Sequence, residues 1–220
     1  MYIMIGGGGL VGRSLAEKLV PLRHDVVVID SDIKACEEVY AKYGAVTIHG
    51  NITNLDTLIS AGIERCDVAV ATMRKDADNL AFALLARHYQ VPQIMVRMID
   101  PKFEAIYKTA GVTNIARGLE FVINQIFINI ESPELRGVIT LGDIEMCIYN
   151  IPKNAKCVGQ TIAKVTSRTG FPKNINIGCV YDDSMNLFIV AKGGTELNPK
   201  DRLFIIGVKE DIKRAIKFIC

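Results

Sequence analysis

The chain has 220 residues, half of them hydrophobic, which is room for one large domain or two small ones with a sizeable core. Its 26 basic and 24 acidic residues nearly cancel and no window holds a basic run, so nucleic acid is not expected as a partner. Six cysteines (Cys36, Cys66, Cys147, Cys157, Cys179 and Cys220) are scattered without a C-x-x-C pair, no signal peptide is evident, and no stretch reaches the ~18 apolar residues of a membrane span, which together predict a reduced, soluble, intracellular protein.

The first stretch, MYIMIGGGGLVG, reads as strand, tight turn and helix. Gly7, Gly9 and Gly12 satisfy G-x-G-x-x-G. The first glycine allows a sharp turn, the second lets backbone approach a diphosphate, and the third lets the helix sit close to the strand. The helix that opens at Leu10 and Val11 presents unpaired N–H groups to an anion. The same letters, Gly7 to Ser14, also read G-x-x-x-x-G-R-S, one residue from a phosphate-binding P-loop that needs lysine where Arg13 stands. The next strand, DVVVID, decides between them: it ends at Asp30, 18 residues beyond Gly12, near the ~20 expected for an acid that binds a ribose. A carboxylate there accepts ribose hydroxyls and repels a 2′-phosphate, which disfavours NADP.

Ser31 or Asp32 caps a helix over Ile33 to Lys42, and Asp32 has a second possible place beside the ribose. Ala45 to His49 is a third strand, and Gly50-Asn51-Ile52-Thr53 a turn where Gly50 bends the chain and Asn51 offers an amide near the adenine. Thr53 or Asn54 caps a helix closed by Gly62. Asp67 to Thr72 is a fourth strand suited to burial on both faces, and Thr72 and Met73 stand at its ligand-binding carboxyl end. Ala77 to Tyr89 is a helix apolar over most of its circumference, for a core or an oligomer surface. Gln93 to Met98 is a fifth strand, near whose end Arg97 either forms a structural ion pair or reaches ligand phosphates. Pro101 opens a helix to Ala110, and Val112 to Ala116 is a sixth strand. This alternation predicts an α/β fold with a doubly wound parallel Rossmann sheet.

Gly118 to Glu131 is a helix whose apolar stripe (Val122, Ile123, Ile126, Phe127, Ile130) is broadened by Phe121 and Ile128, which predicts a crossover to a second subunit, against packing on its own domain. Ser132 to Gly137 reads as a linker. Beyond it, strands at Glu145 to Pro152, Asn174 to Tyr181, Leu187 to Ala191 and Arg202 to Gly207, with helices at Thr161 to Ser167 and Glu210 to Ile219, predict a smaller α+β domain. Asp182, Asp183, Glu196 and Asp201 read as solvated loop charges. His24, His49 and His88 have no ligand spacing, and no nucleophile elbow or H-E-x-x-H helix occurs, so neither a metal nor a catalytic residue is assigned.

The ordered set of motifs resembles the single-unit TrkA-like proteins, an RCK (KTN) nucleotide-binding domain followed by an RCK-C (TrkA-C) domain. It comprises the glycine motif, Asp30, the Gly50 to Thr53 turn, Asn79-Leu80, VRMIDPKF at Val96 to Phe103, and AGVTNI followed by Glu120. Ile151-Pro, Gly159-Gln-Thr-Ile, Gly194-Thr-Glu-Leu and Pro199-Lys-Asp-Arg-Leu extend it through the second half. The resemblance implies domains at 1–117 and 137–220 joined by a crossover helix and linker at 118–136, with no catalysis. It implies a nucleotide, NAD(H) or ATP/ADP, held by Gly7, Gly8, Gly9, Leu10, Val11, Gly12, Asp30, Ser31, Asp32, Asn51, Ile52, Thr72, Met73, Arg97 and Glu120. It implies homodimers assembling to a tetramer or octameric ring at the cytoplasmic face of the membrane, under a potassium transporter subunit. The chain departs from the family at Leu10, often arginine, at Asn51, commonly aspartate, and at Met73, where threonine is usual. The first removes a cation and leaves the diphosphate to backbone N–H groups and Arg97. A small NAD-dependent reductase and a stand-alone nucleotide-sensing module are the other readings the first domain permits.

Overall fold

The apolar run Tyr2–Gly6 forms β1, the central strand of a six-stranded sheet in a computed structural model that describes the backbone of residues 1–220 and the side chains of all but Thr140 and Leu141. The chain divides into two compact units, Met1–Phe121 and Val122–Cys220. In the first, β1 is followed by α1 (Leu10–Leu19), β2 (Asp25–Asp30), α2 (Ile33–Tyr43), β3 (Val46–His49) and α3 (Leu55–Ser60). The chain then runs through β4 (Val68–Ala71), α4 (Asp76–His88), β5 (Gln93–Arg97), α5 (Glu104–Thr109) and β6 (Asn114–Ala116). The strands are parallel in the order β3-β2-β1-β4-β5-β6. This is the doubly wound arrangement the strand–helix alternation implies.

Both faces are covered because successive side chains point to opposite sides of a strand. Met4, Val27, Ile29, Ala69 and Ala71 enter one apolar cluster, with Phe82, Ala83 and Ala86 of α4 and Tyr107 of α5. Ile3, Ile5, Val26, Val28 and Val68 enter another, with Ala16 of α1 and Val39 of α2. The helix starts follow their caps. Asp32, not Ser31, caps α2, its carboxylate accepting from the Lys34 N–H at 2.9 Å. Asn54, not Thr53, caps α3. Pro101 opens a 3-10 turn, Pro101–Phe103, that precedes the shorter α5.

α6 (Gly118–Glu131) matches its expected span, and none of its residues is buried. The second unit continues with β7 (Leu135–Leu141), β8 (Ile144–Asn150), β9 (Gln160–Thr161), α7 (Ile162–Thr166), β10 (Ile175–Asp182) and β11 (Leu187–Val190). β12 (Glu196–Leu197), β13 (Arg202–Val208) and α8 (Lys209–Ile219) complete it. Its main sheet is antiparallel, ordered β11-β10-β13-β8-β7, and the short β12 and β9 pair separately. Ile212, Ile216 and Ile219 of α8 pack on Cys147, Tyr149, Leu203 and Ile205.

Two expectations are corrected here. Leu135 to Gly137, expected in a linker, open β7; Gly137 sits at φ +57° within a register shift between Arg136 and Ile139, so a bulge glycine imitates a linker glycine. Asp182 and Asp201 are not solvated loop charges but buried, at 6% and 2% exposure. Asp182 accepts from the Ser184 and Met185 N–H groups and from the Ser184 hydroxyl, which hold its carboxyl below the usual range. Asp201 accepts from the Asn198 N–H, and its burial raises its carboxyl pKa.

Candidate functional site

Strand order reverses beside β1, so the carboxyl ends of β1, β2 and β4 open into a crevice at the edge where open α/β sheets bind ligands. The glycine loop forms one wall. Gly7 has φ +102°, its N–H donates to the Ile29 carbonyl at 2.8 Å, and its own carbonyl accepts from the Thr72 hydroxyl at 3.0 Å. Gly12 packs so tightly beneath the loop that a Cβ there would lie 1.8 Å from the Gly7 oxygen. Gly9 is the N-cap of α1, with open space where its side chain would be and no side-chain cap. Because α1 has neither a capping side chain nor an acid in its first turn, the N–H groups of Leu10, Val11 and Gly12 remain available to an anion.

Asp30 binds the loop from the neighbouring strand. Its Oδ2 accepts from the Gly8 N–H at 2.6 Å and its Oδ1 from the Asp32 N–H at 2.8 Å. Each oxygen keeps a lone pair for a ligand hydroxyl. Across from it, the Asn51 Oδ1 accepts from the N–H and hydroxyl of Thr53 at 2.9 and 2.8 Å, fixing the turn after β3. His49 is hydrogen-bonded through Nε2 to the Ser31 carbonyl at 3.0 Å, which ties the β2 and β3 ends together.

The resulting cleft, about 270 Å3, is lined by Gly7, Ile29, Asp30, Ser31, Gly50, Asn51, Ile52, Thr53, Met73 and Asp78. Six expected residues therefore meet: Gly7, Asp30, Ser31, Asn51, Ile52 and Met73. Gly8, Gly9, Leu10, Val11 and Gly12 build the loop and helix start beside it. Asp32 is spent as a cap. Thr72 lies outside the lining, and its buried hydroxyl, shared between the Gly6 and Gly7 carbonyls, braces the loop. Arg97 and Glu120 lie outside the lining, and Arg97 forms no ion pair among the described residues. The expected ligand contacts leave out four lining residues, Ile29, Gly50, Thr53 and Asp78. The sheet-edge rule had a signal for Asp78, because the start of the helix after β4 lies over the same edge as Asp30.

Asn79 and Asp76, both buried, hold this edge rigid. The Asn79 Oδ1 accepts from the Met73 N–H at 2.9 Å, and its amide donates to the carbonyls of Met73 and Arg97 at 3.3 and 3.1 Å. Asp76 accepts from the N–H groups of Ile99 and Asp100 and from the Tyr107 hydroxyl. Burial, reinforced by that carboxylate, pushes the Tyr107 phenol pKa up. Asn79→Ala orphans three polar groups at once, so unfolding in urea should show a loss of about 3 kcal/mol.

A larger cleft, about 570 Å3, lies in the second unit among Ile162, Arg168, Phe171 and Lys192. Its Arg168 guanidinium is engaged by the Phe218 carbonyl and Gln160 Oε1. The smaller cleft is the better candidate because glycine loop, uncapped helix start and Asp30 converge on it. Among the described residues no group of three or more His, Cys, Asp or Glu side chains could hold a metal, and no helix is long and apolar enough to cross a membrane.

Comparison with known proteins matches residues 3–117 to the TrkA-N domain and residues 146–219 to the TrkA-C domain. A Trk system potassium uptake protein TrkA homolog of Methanothermobacter thermautotrophicus is 32% identical over 168 residues, 76% of this chain and 77% of the relative. Another of that description, from Archaeoglobus fulgidus, is 30% identical over 222 residues, 97% of this chain but 48% of the relative, so the chain spans about half its length. The solved GsuK RCK domain and the GsuK channel bound to NAD each share its fold at TM-score 0.68 and 19% identity over 99% of this chain, covering 47% and 39% of theirs.

Proposed function

The chain belongs to the TrkA family, and from that premise we propose that it is a nucleotide-sensing regulatory subunit of a potassium uptake system and not an enzyme. The observation that carries the reading is a cleft lined by Gly7 of the glycine loop and by the carboxylate at the end of β2, with a helix start without side-chain cap beside it. These groups fit an adenine nucleotide. The N–H groups of Leu10 to Gly12 would take its diphosphate, Asp30 its ribose hydroxyls, and Asn51 with Ile52 its base. One relative in fold is described as bound to NAD, which agrees with NAD(H) or ADP/ATP as the class of ligand.

We assign residues 1–117 to nucleotide binding and α6 to contact between subunits. Leu119, Val122, Ile123, Ile126, Phe127 and Ile130 of α6 are all more than half exposed, a stripe that a second copy would bury. Dimers so formed would assemble into a tetramer or octameric ring under a membrane potassium transporter, at its cytoplasmic face. A nucleotide shifts such an assembly only by binding one arrangement better than the other; a tenfold preference per site supplies about 1.4 kcal/mol, and repeated sites multiply the bias. The test is potassium uptake into vesicles carrying the host's transporter, with and without this chain. Nucleotide should change the flux in its presence, and Asp30→Ala should remove at least about tenfold of that sensitivity. Flux indifferent to chain and nucleotide, or hydride transfer by the chain alone, would refute the reading.

A further inference from the structure

The candidate cleft carries two acids and no base. Asp30 and Asp78 are its only charged lining residues, and no lysine or arginine lines it. The neighbouring cations are placed elsewhere. Arg13, one residue past the motif, is bonded to Glu38 at 2.9 Å. Arg74 and Lys75 are exposed and outside the lining, as is the half-buried Arg97. What remains to neutralise phosphate is the start of α1, with its free N–H groups and a partial charge of about half an elementary unit. That is suited to a diphosphate diester, which carries one charge per phosphorus. A terminal phosphate adds charge that nothing in the lining offsets.

The two acids also have a fixed arrangement. β2 and β4 flank β1, so Asp30, at the end of β2, and Asp78, in the first turn of the helix that follows β4, line the cleft from strands on either side of β1. A ligand whose diphosphate lies on the loop therefore meets a carboxylate at each end. Carboxylates accept hydroxyl protons and repel phosphate oxygens. We propose that Asp78 is a specificity-determining residue which selects dinucleotides, whose second ribose offers it a neutral diol, and rejects nucleoside triphosphates, whose terminal phosphate would face it. The proposal rests on the nucleotide reading of this cleft and adds to it the choice of ligand. Asp78 is exposed and has no side-chain hydrogen bond among the described residues, so its replacement removes no core packing and no hydrogen bond of the fold.

Isothermal titration of the full chain with NADH, ADP-ribose and ATP, without magnesium, tests it. The unaltered chain should bind NADH and ADP-ribose at least about tenfold more tightly than ATP. Asp78→Lys should raise ATP affinity about tenfold or more and weaken ADP-ribose. Asp78→Asn should keep NADH within about threefold, because its amide oxygen still accepts a hydroxyl, while ATP gains. ATP binding as tightly as NADH to the unaltered chain, or a NADH/ATP ratio that Asp78→Lys does not move, would overturn the assignment. Binding of none of the three would overturn the nucleotide reading itself, and this inference with it.

Discussion

Gly12→Ala should abolish nucleotide binding and lower the unfolding free energy by about 3 kcal/mol. The added Cβ would sit 1.8 Å from the Gly7 carbonyl oxygen, far inside contact distance. That oxygen cannot retreat cheaply. Gly7 is pinned on both sides, by its N–H to the Ile29 carbonyl and by its carbonyl to the Thr72 hydroxyl. Relief must come from moving α1 away from β1, which loosens Ala16 in the core and displaces the N–H groups of Leu10 to Gly12 from the loop. Overpacking of this kind usually costs about 1 to 3 kcal/mol, and a backbone clash belongs at the upper end. Urea unfolding and calorimetric titration read the two effects separately. An alanine variant with unchanged stability and affinity would mean that the loop yields where its hydrogen bonds say it is held.

If copies of the chain assemble through α6 as proposed, Ile126→Glu combined with Ile130→Glu should leave protomers where the unaltered chain forms a larger species. Both residues are exposed on α6, at 55% and 71%, and neither contributes to a core cluster. A protomer therefore loses nothing on substitution, whereas an α6-mediated interface would have to bury two unpaired carboxylates. Leaving an uncompensated buried charge costs about 3 to 5 kcal/mol, so weakening by about a hundredfold or more is expected from either and more from both. Light scattering measures the mass directly. The same mass for variant and parent would remove α6 from the assembly.

Legibility in the sequence followed the range of the interactions. Local devices were plain: the glycine motif, the helix end at Gly62, and a β2 that stops at Asp30. Where two neighbours compete for one cap, only the hydrogen bonds of the fold separate Asp32 from Ser31 and Asn54 from Thr53. What the pattern concealed depends on partners far along the chain. Thr72 stands at the ligand edge by strand counting, yet its hydroxyl is turned to the Gly6 and Gly7 carbonyls, 66 and 65 residues away. β7 was hidden because a proline and a glycine punctuate its approach, although its pairing with β8 absorbs the glycine as a bulge. Asp182, at the end of β10, and Asp201, just before β13, belong with exposed charges by composition; their N–H partners make them internal caps. For the site, the loop and Asp30 are legible from motif spacing alone, while Asp78 is reached only through the sheet-edge rule, as a residue at the start of the helix after β4.

On this reading the chain binds an adenine nucleotide at the glycine loop. Thermal unfolding of the full chain with increasing NADH tests it most directly, with Asp30→Ala in parallel. Ligand at a hundred times its dissociation constant stabilises by about 2.7 kcal/mol, so the midpoint should rise by several degrees and keep rising with concentration, with no rise in the variant. A midpoint unmoved by millimolar NADH, NAD, ADP or ATP, or a rise that survives Asp30→Ala undiminished, would contradict it.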